Sequence, residues 1–337
     1  MEFKLALIQT ITNNFSEEQK VGSGRYADVY KAVYNGEEIA VKKINYLLEI
    51  NDKEFYNEFH NITMVRHKNI VRLISYCYEL GPRSIEYEGE PIMCEERQRL
   101  LCFEYMQQGS LDKLITDQSC LLDWPTCYKI IKGTCEALNH LHSVQRRPIF
   151  HLDLKPANIL LDKDMTPKIA DLGLSRFFAS TQVHRTEFLN STQGYMPPEY
   201  IHSGLISNKF DVFSLGIVII KMMYGNAGYY RCSEMSSKEI IELVSKNWEE
   251  RLRRYSSYHM DILRVQRCVE IALTCVETDR HKRPSIKDIV HKLEELEAEI
   301  KKMSYDLSKD QILQELCSHL IYLGCLKGRE GTRAMSG

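Results

Sequence analysis

Three polar side chains within the segment His151–Asn158 have the types and the spacing that phosphoryl transfer requires. Asp153, Lys155 and Asn158 follow a helical pattern and precede the apolar run Ile159–Leu161. A carboxylate can orient an attacking hydroxyl, an ammonium can steady the moving phosphoryl group, and a carboxamide oxygen can bind Mg²⁺. The segment therefore indicates a site at which a phosphoryl group is transferred.

A second carboxylate suited to the same metal ion follows further along the chain. Asp171 precedes Leu172 and Gly173, and the glycine permits a sharp turn close to the carboxylate. Carboxylate and amide oxygens are hard ligands, which Mg²⁺ prefers. We therefore predict that Asn158 and Asp171 hold this ion.

A lysine and a glutamate upstream are candidates for an ion pair. Lys42 ends the apolar run Ile39–Val41, where a lysine is costly to bury unless it meets an anion or a carboxylate. Glu58 lies in the next helical stretch, residues 53–65, and is the natural partner. Paired in this way, Lys42 would extend toward nucleotide phosphates. Taken alone, the same lysine also fits an unpaired side chain that reaches solvent from a sheet edge.

Two glycines before this lysine indicate a phosphate-binding loop. Gly22 and Gly24 allow backbone N–H groups to approach phosphates without a clash from a Cβ atom. The dinucleotide-binding form of this motif requires a helix directly after the glycines, whereas a β pattern follows here from Val29. We therefore predict a strand–loop–strand flap over a nucleotide.

The hydrophobic patterns divide the chain into two parts. Residues 15–105 have mainly short β patterns with one helical stretch, and the patterns from Leu111 onward are mostly helical. This order predicts an α+β fold with a small β-rich lobe and a larger helical lobe. The polar stretch Glu79–Gln98, between two strand candidates, is predicted to be a long, solvated and disordered insertion, with a docking loop as the alternative.

The composition restricts the class of protein. The 337 residues are 44% hydrophobic and 27% charged, as in a folded globular protein rather than a disordered chain or a collagen. With 44 basic and 46 acidic residues, the net charge of -2 gives no bulk attraction to nucleic acid. The 11 cysteines contain no CxxC pair and are expected to be reduced thiols. No apolar run is long enough to span a membrane, so we expect no transmembrane segment and a cytoplasmic location.

In this order, the motifs resemble those of the eukaryotic protein kinases over residues 15–298. The resemblance implies a bilobal α+β kinase fold, with a β-rich N-lobe at about 15–105 and a helical C-lobe at about 106–298. Residues 1–14 would be a lead-in, and residues 299–337 a tail that is first helical and then flexible.

The resemblance also implies a role for each motif residue, with ATP and Mg²⁺ as cofactors. The hinge, whose backbone would read adenine, contains Glu104 and Met106. The expected catalytic residues are Asp153, Lys155, Lys42 and Glu58, and the expected metal ligands are Asn158 and Asp171. The expected nucleotide-binding residues are Val21, Gly22, Gly24, Val29, Ala40, Lys42, Glu104, Met106 and Leu160.

Further positions match structural landmarks of the same family. Thr192 would contact Asp153 and Lys155. Asp211 would anchor the catalytic loop from a central helix, and Arg283 would form an ion pair with Glu199. Candidate phosphorylation sites in the activation segment are Ser180, Thr181, Thr186 and Ser191.

Shorter patterns resemble one branch of the family, the plant receptor-like kinases. These patterns are Thr12–Ser16, Gly109–Leu111 and Gly194–Met196. Lys155, which follows Asp153 closely, is typical of Ser/Thr-specific kinases. The expected partners are a protein substrate with a Ser or Thr acceptor and a membrane receptor complex that recruits the kinase to the plasma membrane. The chain is either a free cytoplasmic kinase or a fragment of a receptor.

Three residues depart from the usual kinase pattern. Ala27 replaces the third glycine of the loop, and Leu172 replaces a phenylalanine. Leu152 stands where many kinases have an arginine, whose charge a phosphate on the activation loop neutralises. Phosphorylation of this loop is therefore expected to matter less. The alternative to an active kinase is a pseudokinase scaffold that binds partners without catalysis.

Overall fold

The computed structural model consists of two compact units, Met1–Val290 and His291–Gly337. In the second unit residues 291–305 are helical, and the predicted tail from residue 306 onward lies outside the described residues. No helix within the described ranges is long and apolar enough to cross a membrane. The described residues are 2–24, 27–44, 52–87, 90–116, 122–144, 148–173, 175–177, 184–185, 192, 194–225, 235–253 and 258–305.

A five-stranded antiparallel sheet forms the N-terminal part of the first unit. It is preceded by helix α1 (Leu5–Ile11), and helix α2 (Asp52–Met64) connects its third and fourth strands. Its strands are β1 (Lys20–Ser23), β2 (Ala27–Tyr34), β3 (Glu37–Ile44), β4 (Leu73–Tyr87) and β5 (Glu90–Glu104), in the spatial order β1-β2-β3-β5-β4.

Helices dominate the remainder of the first unit. They are α3 (Leu111–Thr116), α4 (Trp124–His142), α5 (Pro198–Ser203), α6 (Phe210–Tyr224), α7 (Ser237–Leu252) and α8 (Tyr258–Cys275), and residues 286–290 begin a last helix. Short strands lie between them: β6 (Gly109–Ser110), β7 (Ile149–Phe150), β8 (Ile159–Leu161), β9 (Pro167–Ile169), β10 (Arg176–Phe177), β11 (His184–Arg185) and β12 (Leu205–Ile206). A β-rich lobe followed by a helical lobe confirms the predicted α+β class.

Helix α6 is the centre of the helical lobe. Its side chains are buried continuously from Phe210 to Ile220. At Gly216 an added Cβ atom would lie 2.7 Å from Cβ of Cys275, so the glycine permits close approach of α6 and α8. The N-terminal end of α6, which carries Asp211, is thereby held in a rigid setting.

The sheet register places four residues of interest on one face. Val29 lies opposite Lys42, and Ala40 lies opposite Phe103. Ala40 and Lys42 are two residues apart on β3, and alternate residues of a strand point to the same side. Val41, between them, points to the other face and is fully buried. One face of the sheet is therefore left for ligand contacts while the other is a core.

The N-terminal segment covers the core face of the sheet. Phe3, Leu5 and Ile8 are buried in one cluster with Val41. The backbone N–H of Phe3 donates to the carbonyl oxygen of Tyr76 on β4 at 2.8 Å. This segment, the predicted lead-in, therefore packs as part of the β-rich lobe, while the boundary proposed at residue 15 stays a prediction.

We expect the N-terminal segment to contribute to stability. Ile8→Ala should lower the free energy of unfolding by ~2–4 kcal/mol, because Ile8 is 0% exposed and its removal leaves a cavity. Urea denaturation measures this difference. Val33→Ala is the matched control, since Val33 on β2 is 55% exposed and its truncation should cost less than ~0.5 kcal/mol. Equal midpoints for the two variants would contradict the role assigned to the segment.

The prediction of a disordered insertion at Glu79–Gln98 is wrong. Strands β4 and β5 continue through this stretch as a two-stranded ribbon, which pairs in register from Glu79 opposite Gln98 to Tyr87 opposite Glu90. Pro82 and Pro91 lie within the paired strands. The two residues at the tip, 88 and 89, lie outside the described residues.

The charged composition of the ribbon explains the error. Apart from Gly81 and Gln98, which are buried near Leu5, the described side chains of this stretch are exposed or half-buried, so polar side chains do not oppose strand pairing. The carboxylate of Glu79 accepts hydrogen bonds from Lys4 Nζ and from the backbone N–H of Leu5, both at 2.9 Å. The guanidinium of Arg97 lies 4.8 Å from the ring centroid of Tyr78. These local contacts stabilise a segment whose composition is typical of a loop.

Candidate active site

Lys42, Glu58 and Asp171 form a connected ion triad. Lys42 projects from β3, Glu58 from α2, and Asp171 from the segment after β9. The Nζ atom of Lys42 donates to both carboxylate oxygens of Glu58, at 2.8 and 2.9 Å, and to Oδ1 of Asp171 at 3.0 Å. The predicted pair of Lys42 with Glu58 is confirmed, and the alternative of an unpaired lysine at a sheet edge is wrong.

Two members of the triad, Lys42 and Asp171, are charged at neutral pH. Burial alone would lower the pKa of Lys42, but the carboxylates of Asp171 and Glu58 outweigh burial and raise that pKa above its ordinary value. The Lys42 ammonium in turn lowers the pKa of Asp171, although burial opposes this change. The backbone of Asp171 has a φ of 65°, a conformation that non-glycine residues seldom adopt. The ammonium is therefore held in place with its charge retained.

Asp153 lies at the centre of a second network. Its Oδ2 accepts from Lys155 Nζ at 2.8 Å and from Asn158 Nδ2 at 3.1 Å. Its Oδ1 accepts from the backbone N–H and the hydroxyl of Thr192, at 3.2 and 3.0 Å. Lys155 Nζ also donates to Thr192 Oγ1 at 2.6 Å. The predicted contacts of Thr192 with Asp153 and Lys155 are confirmed.

The metal ligands predicted from the sequence fit Mg²⁺ by their chemistry. The amide nitrogen of Asn158 is committed to Asp153, donating to its carbonyl oxygen at 2.9 Å as well as to its carboxylate, so its Oδ1 is the atom left for an ion. Asp171 has one carboxylate oxygen on Lys42 and a second beyond it. Protein sites bind Mg²⁺ through few oxygens, since phosphates and water complete its octahedron. Across the described ranges, no group of three or more His, Cys, Asp or Glu residues forms a metal site independent of phosphates.

Asp211 anchors the loop that carries Asp153. Its Oδ2 accepts from the backbone N–H of His151 and its Oδ1 from that of Leu152, each at 2.8 Å. The ring nitrogen Nε2 of His142 lies 2.8 Å from Oδ2. Burial, the largest single influence, would raise the pKa of Asp211, but the interactions with His142, His151 and the backbone N–H of Leu152 together outweigh burial and lower it. The anchoring role predicted for Asp211 is thus confirmed, and His142 is a partner that the sequence did not reveal.

Leu152, which stands where many kinases have an arginine, packs into an apolar cluster. Its side chain is fully buried in a cluster with Phe150, Tyr200, Ile206 and Phe210. Its φ is 64°, so the backbone turns sharply immediately before Asp153. The two hydrogen-bonded peptide groups on Asp211 maintain this turn.

The hinge has a side-chain support of its own. The Oε1 atom of Glu104 accepts from the backbone N–H of Arg72 at 2.9 Å and from Lys168 Nζ at 2.8 Å. The carboxylate therefore joins the end of β5 to two neighbouring segments, which leaves hinge backbone rather than this side chain to meet a ligand. Phe103, directly before the hinge, and Met106, within it, are buried.

The remaining nucleotide-binding candidates are partly exposed apolar or glycine residues. Gly24 N–H donates to the carbonyl oxygen of Ala27 at 2.9 Å and closes the β1–β2 turn, whose residues 25 and 26 lie outside the described residues. Val29 and Ala40 share the ligand face of the sheet with Lys42. The others are Gly22 and Val21 on β1 and Leu160 on β8.

A buried ion pair fixes the segment that follows Thr192. The guanidinium of Arg283 donates to both carboxylate oxygens of Glu199, at 2.7 and 2.8 Å. Its Nε also donates to the carbonyl oxygen of Glu277 at 2.7 Å. The pairing of Arg283 with Glu199 predicted from the sequence is confirmed.

Two contacts that support the site had no signal in the sequence. The amide of Asn61 on α2 donates to the carbonyl oxygens of Leu172 and Ser175, at 3.1 and 3.2 Å. Ser175 Oγ in turn donates to the carbonyl oxygen of His151 at 3.3 Å.

The four candidate phosphorylation sites lie outside the described residues; they are Ser180, Thr181, Thr186 and Ser191.

Comparisons with known proteins agree with this geometry. The model of the family described as the protein kinase domain matches residues 15–293. The chain is 36% identical over 304 residues to cysteine-rich receptor-like protein kinase 26 of Arabidopsis thaliana, which covers 86% of this chain and 43% of that protein. It is 34% identical over 304 residues to cysteine-rich receptor-like protein kinase 44 of the same plant, which covers 85% of this chain and 74% of that protein.

A relative with a different name matches over a similar length of this chain. A G-type lectin S-receptor-like serine/threonine-protein kinase of Arabidopsis thaliana is 33% identical over 299 residues, which covers 86% of this chain and 35% of that protein. The chain spans 43% of the length of the first curated relative and 42% of that of the next. The similarity is therefore confined to less than half of kinase 26 and of the lectin-type kinase, whereas it extends over 74% of kinase 44.

Proposed function

We propose that this chain, which belongs to the protein kinase family and within it to the plant receptor-like kinases, transfers the γ-phosphoryl group of ATP to Ser or Thr hydroxyls of proteins. The observation that carries the proposal is the pair of networks around Asp153 and Lys42. Both carboxylates of the Lys42 triad and both oxygens of Asp153 are oriented by donors that belong to the protein itself. Such preorganisation is what phosphoryl transfer requires of a protein.

Asp153 and Lys155 would act on the reacting groups. The Asp153 carboxylate is positioned to orient the acceptor hydroxyl and to take its proton as the new O–P bond forms. Lys155, held against Asp153 at 2.8 Å, would place its positive charge beside the transferred phosphoryl group. Positioning and electrostatics then supply most of the acceleration.

Lys42, Asn158 and Asp171 would bind the phosphates of ATP and the metal ion that accompanies them. Lys42 would meet the α- and β-phosphates while Glu58 prevents its withdrawal. Asn158 and Asp171 would hold Mg²⁺. When bound, this ion would neutralise negative charge on the phosphates. The base would lie between apolar residues of the two lobes, and the hinge backbone would read it. These lining residues are Val21, Val29, Ala40, Met106 and Leu160, beside the loop glycines Gly22 and Gly24 and the hinge residue Glu104.

The location and partners belong to the same proposal. We place the kinase domain in the cytoplasm, where a membrane receptor complex would recruit it to the plasma membrane. Buried, unpaired thiols are typical of reducing compartments, and burial raises the pKa of Cys77, Cys102 and Cys127 to about 12. Because Leu152 contacts an apolar cluster rather than a phosphate, loop phosphorylation would be a weaker switch than in kinases with arginine there.

Phosphate incorporation tests the proposal directly. The purified chain is incubated with ATP, Mg²⁺ and a general Ser/Thr protein substrate, beside the Asp171→Ala variant. Transfer to Ser or Thr that disappears in the variant is the expected result, because Asp171 is both a proposed metal ligand and a partner of Lys42. Nucleotide binding by a folded wild-type chain without any transfer would overturn the proposal and favour a pseudokinase scaffold.

A further inference from the structure

Lys221 is a cation on an otherwise apolar stretch of helix α6. Its neighbours Ile219 and Ile220 are buried, whereas Lys221 is half-buried. Its Nζ atom donates to the hydroxyl oxygen of Tyr195 at 2.9 Å and lies 4.4 Å from the centroid of that ring. A lysine at such a position must be tied to an anion, a dipole or solvent.

The charge of Lys221 is not neutralised by a carboxylate of the described chain. Lys42 and Lys155 each contact an aspartate, whereas the only hydrogen-bond partner that the described residues offer Lys221 is the phenol of Tyr195. An ammonium has three N–H donors, and Tyr195 engages one of them. The others are available to a group that approaches from outside.

A short series of contacts links Lys221 to the proposed catalytic residue. Thr192 donates to Asp153 through its backbone N–H and its hydroxyl. Tyr195 follows three residues later, and its carbonyl oxygen accepts from Ser214 Oγ at 2.8 Å. The backbone N–H of Tyr195 donates to the carbonyl oxygen of Thr192 at 3.4 Å, so a protein substrate that presents a hydroxyl to Asp153 would lie close to Tyr195 and Lys221.

We propose that Lys221 selects substrates that carry an acidic group, a carboxylate or a phosphate, close to the acceptor Ser or Thr. The inference rests on the proposed kinase function and specifies the substrate class. An incoming anion would complete the hydrogen bonds of the Lys221 ammonium and neutralise its charge, which the phenol and the face of Tyr195 do only in part. A basic residue at the same place in the substrate would be repelled.

Peptide kinetics measure this preference. Peptides with one acceptor Ser carry Ala, Glu, phosphoserine or Arg in turn at each position around it. At the position that meets Lys221, Glu should raise kcat/KM over Ala roughly tenfold, the usual size of one charge-assisted hydrogen bond. Arg should lower it. The Glu and phosphoserine arms distinguish a carboxylate substrate from a previously phosphorylated one, and either preference supports the proposal.

Charge reversal assigns the preference to this lysine. Lys221→Glu should reverse the order of the Glu and Arg peptides, and Lys221→Gln should remove the difference through KM, each ratio being taken against the Ala peptide with the same variant. Lys238→Glu is the matched control, because Lys238 on α7 is 87% exposed and lies outside the site. An unchanged ratio of Glu to Arg peptides in Lys221→Glu would overturn the inference.

A binding measurement separates this inference from the kinase proposal. A fluorescent Glu peptide is titrated into the Asp171→Ala protein, which is expected not to transfer phosphate, with and without Lys221→Glu. Weaker binding of the Glu peptide after charge reversal supports the inference even if no variant transfers phosphate. Equal binding of the Glu and Ala peptides by the protein with Lys221 intact overturns it, whatever the outcome of the transfer assay.

Discussion

Asp153→Asn is expected to slow phosphoryl transfer by about 10²–10⁴-fold, the range of a general base in such a reaction. The substitution keeps the shape of the side chain but removes its charge and its ability to take a proton. It also places an NH₂ group against donors, because Lys155 and Asn158 donate to one oxygen of Asp153 and Thr192 donates to the other. Steady-state kinetics with saturating ATP and a protein substrate measure the loss in kcat.

The control for this variant must separate chemistry from folding. Asp164→Asn changes an exposed carboxylate in the turn between β8 and β9 and should leave kcat within about twofold of the wild-type value, as for most surface changes. The affinity of Asp153→Asn for ATP should change little, because Lys42 and the hinge are intact. Retention of more than about a tenth of the wild-type kcat would show that Asp153 is not the base.

Arg283→Ala is expected to lower the free energy of unfolding by ~3–5 kcal/mol, the cost of removing one partner of a buried ion pair. The Arg283 side chain is 0% exposed, and its loss would leave the Glu199 carboxylate, 13% exposed, without its bidentate partner. The carbonyl oxygen of Glu277 would lose a donor as well. Chemical denaturation measures the change, and Arg283→Lys should recover part of it because an ammonium cannot make the two parallel bonds.

Arg267→Ala is the matched control for the buried pair. Nη1 of Arg267 lies 3.0 Å from Oε2 of Glu270, but the two side chains are 42% and 46% exposed. Removal of Arg267 should therefore lower the free energy of unfolding by less than ~1 kcal/mol. If Arg283→Ala is no more destabilising than Arg267→Ala, the buried pair does not hold the segment that follows Thr192.

Much of the candidate site was predictable because its chemistry is local in sequence. Asp153, Lys155 and Asn158 share one short segment, and their types and order are sufficient to indicate phosphoryl transfer. Lys42 and Glu58 are further apart, but a lysine directly after an apolar run favours a carboxylate partner, and the structure supplies one at 2.8 Å. In both cases a charged group in an apolar setting restricts the possible partners.

Features that depend on tertiary packing were not predictable in this way. The pairing of Glu79 with Gln98 across a ribbon has no apolar alternation to indicate it, because most described residues of the ribbon are exposed or half-buried. The contact of His142 with Asp211 joins two helices, and the sequence around His142 does not indicate it. Phe3, Leu5 and Ile8 pack on the sheet, but they form only a short amphipathic pattern. A pattern of this length is too short to predict a packed segment from the sequence.

The ribbon formed by β4 and β5 has a consequence for how copies of this chain behave in concentrated solution. A two-stranded ribbon offers unpaired N–H and C=O groups along both edges, and the apolar Met93 is 65% exposed on it, a combination that invites intermolecular β-sheet formation. Pro82 and Pro91 each remove an N–H group, and exposed glutamates such as Glu90 and Glu95 repel a second copy. The residues that make this stretch resemble a loop therefore also protect it against aggregation.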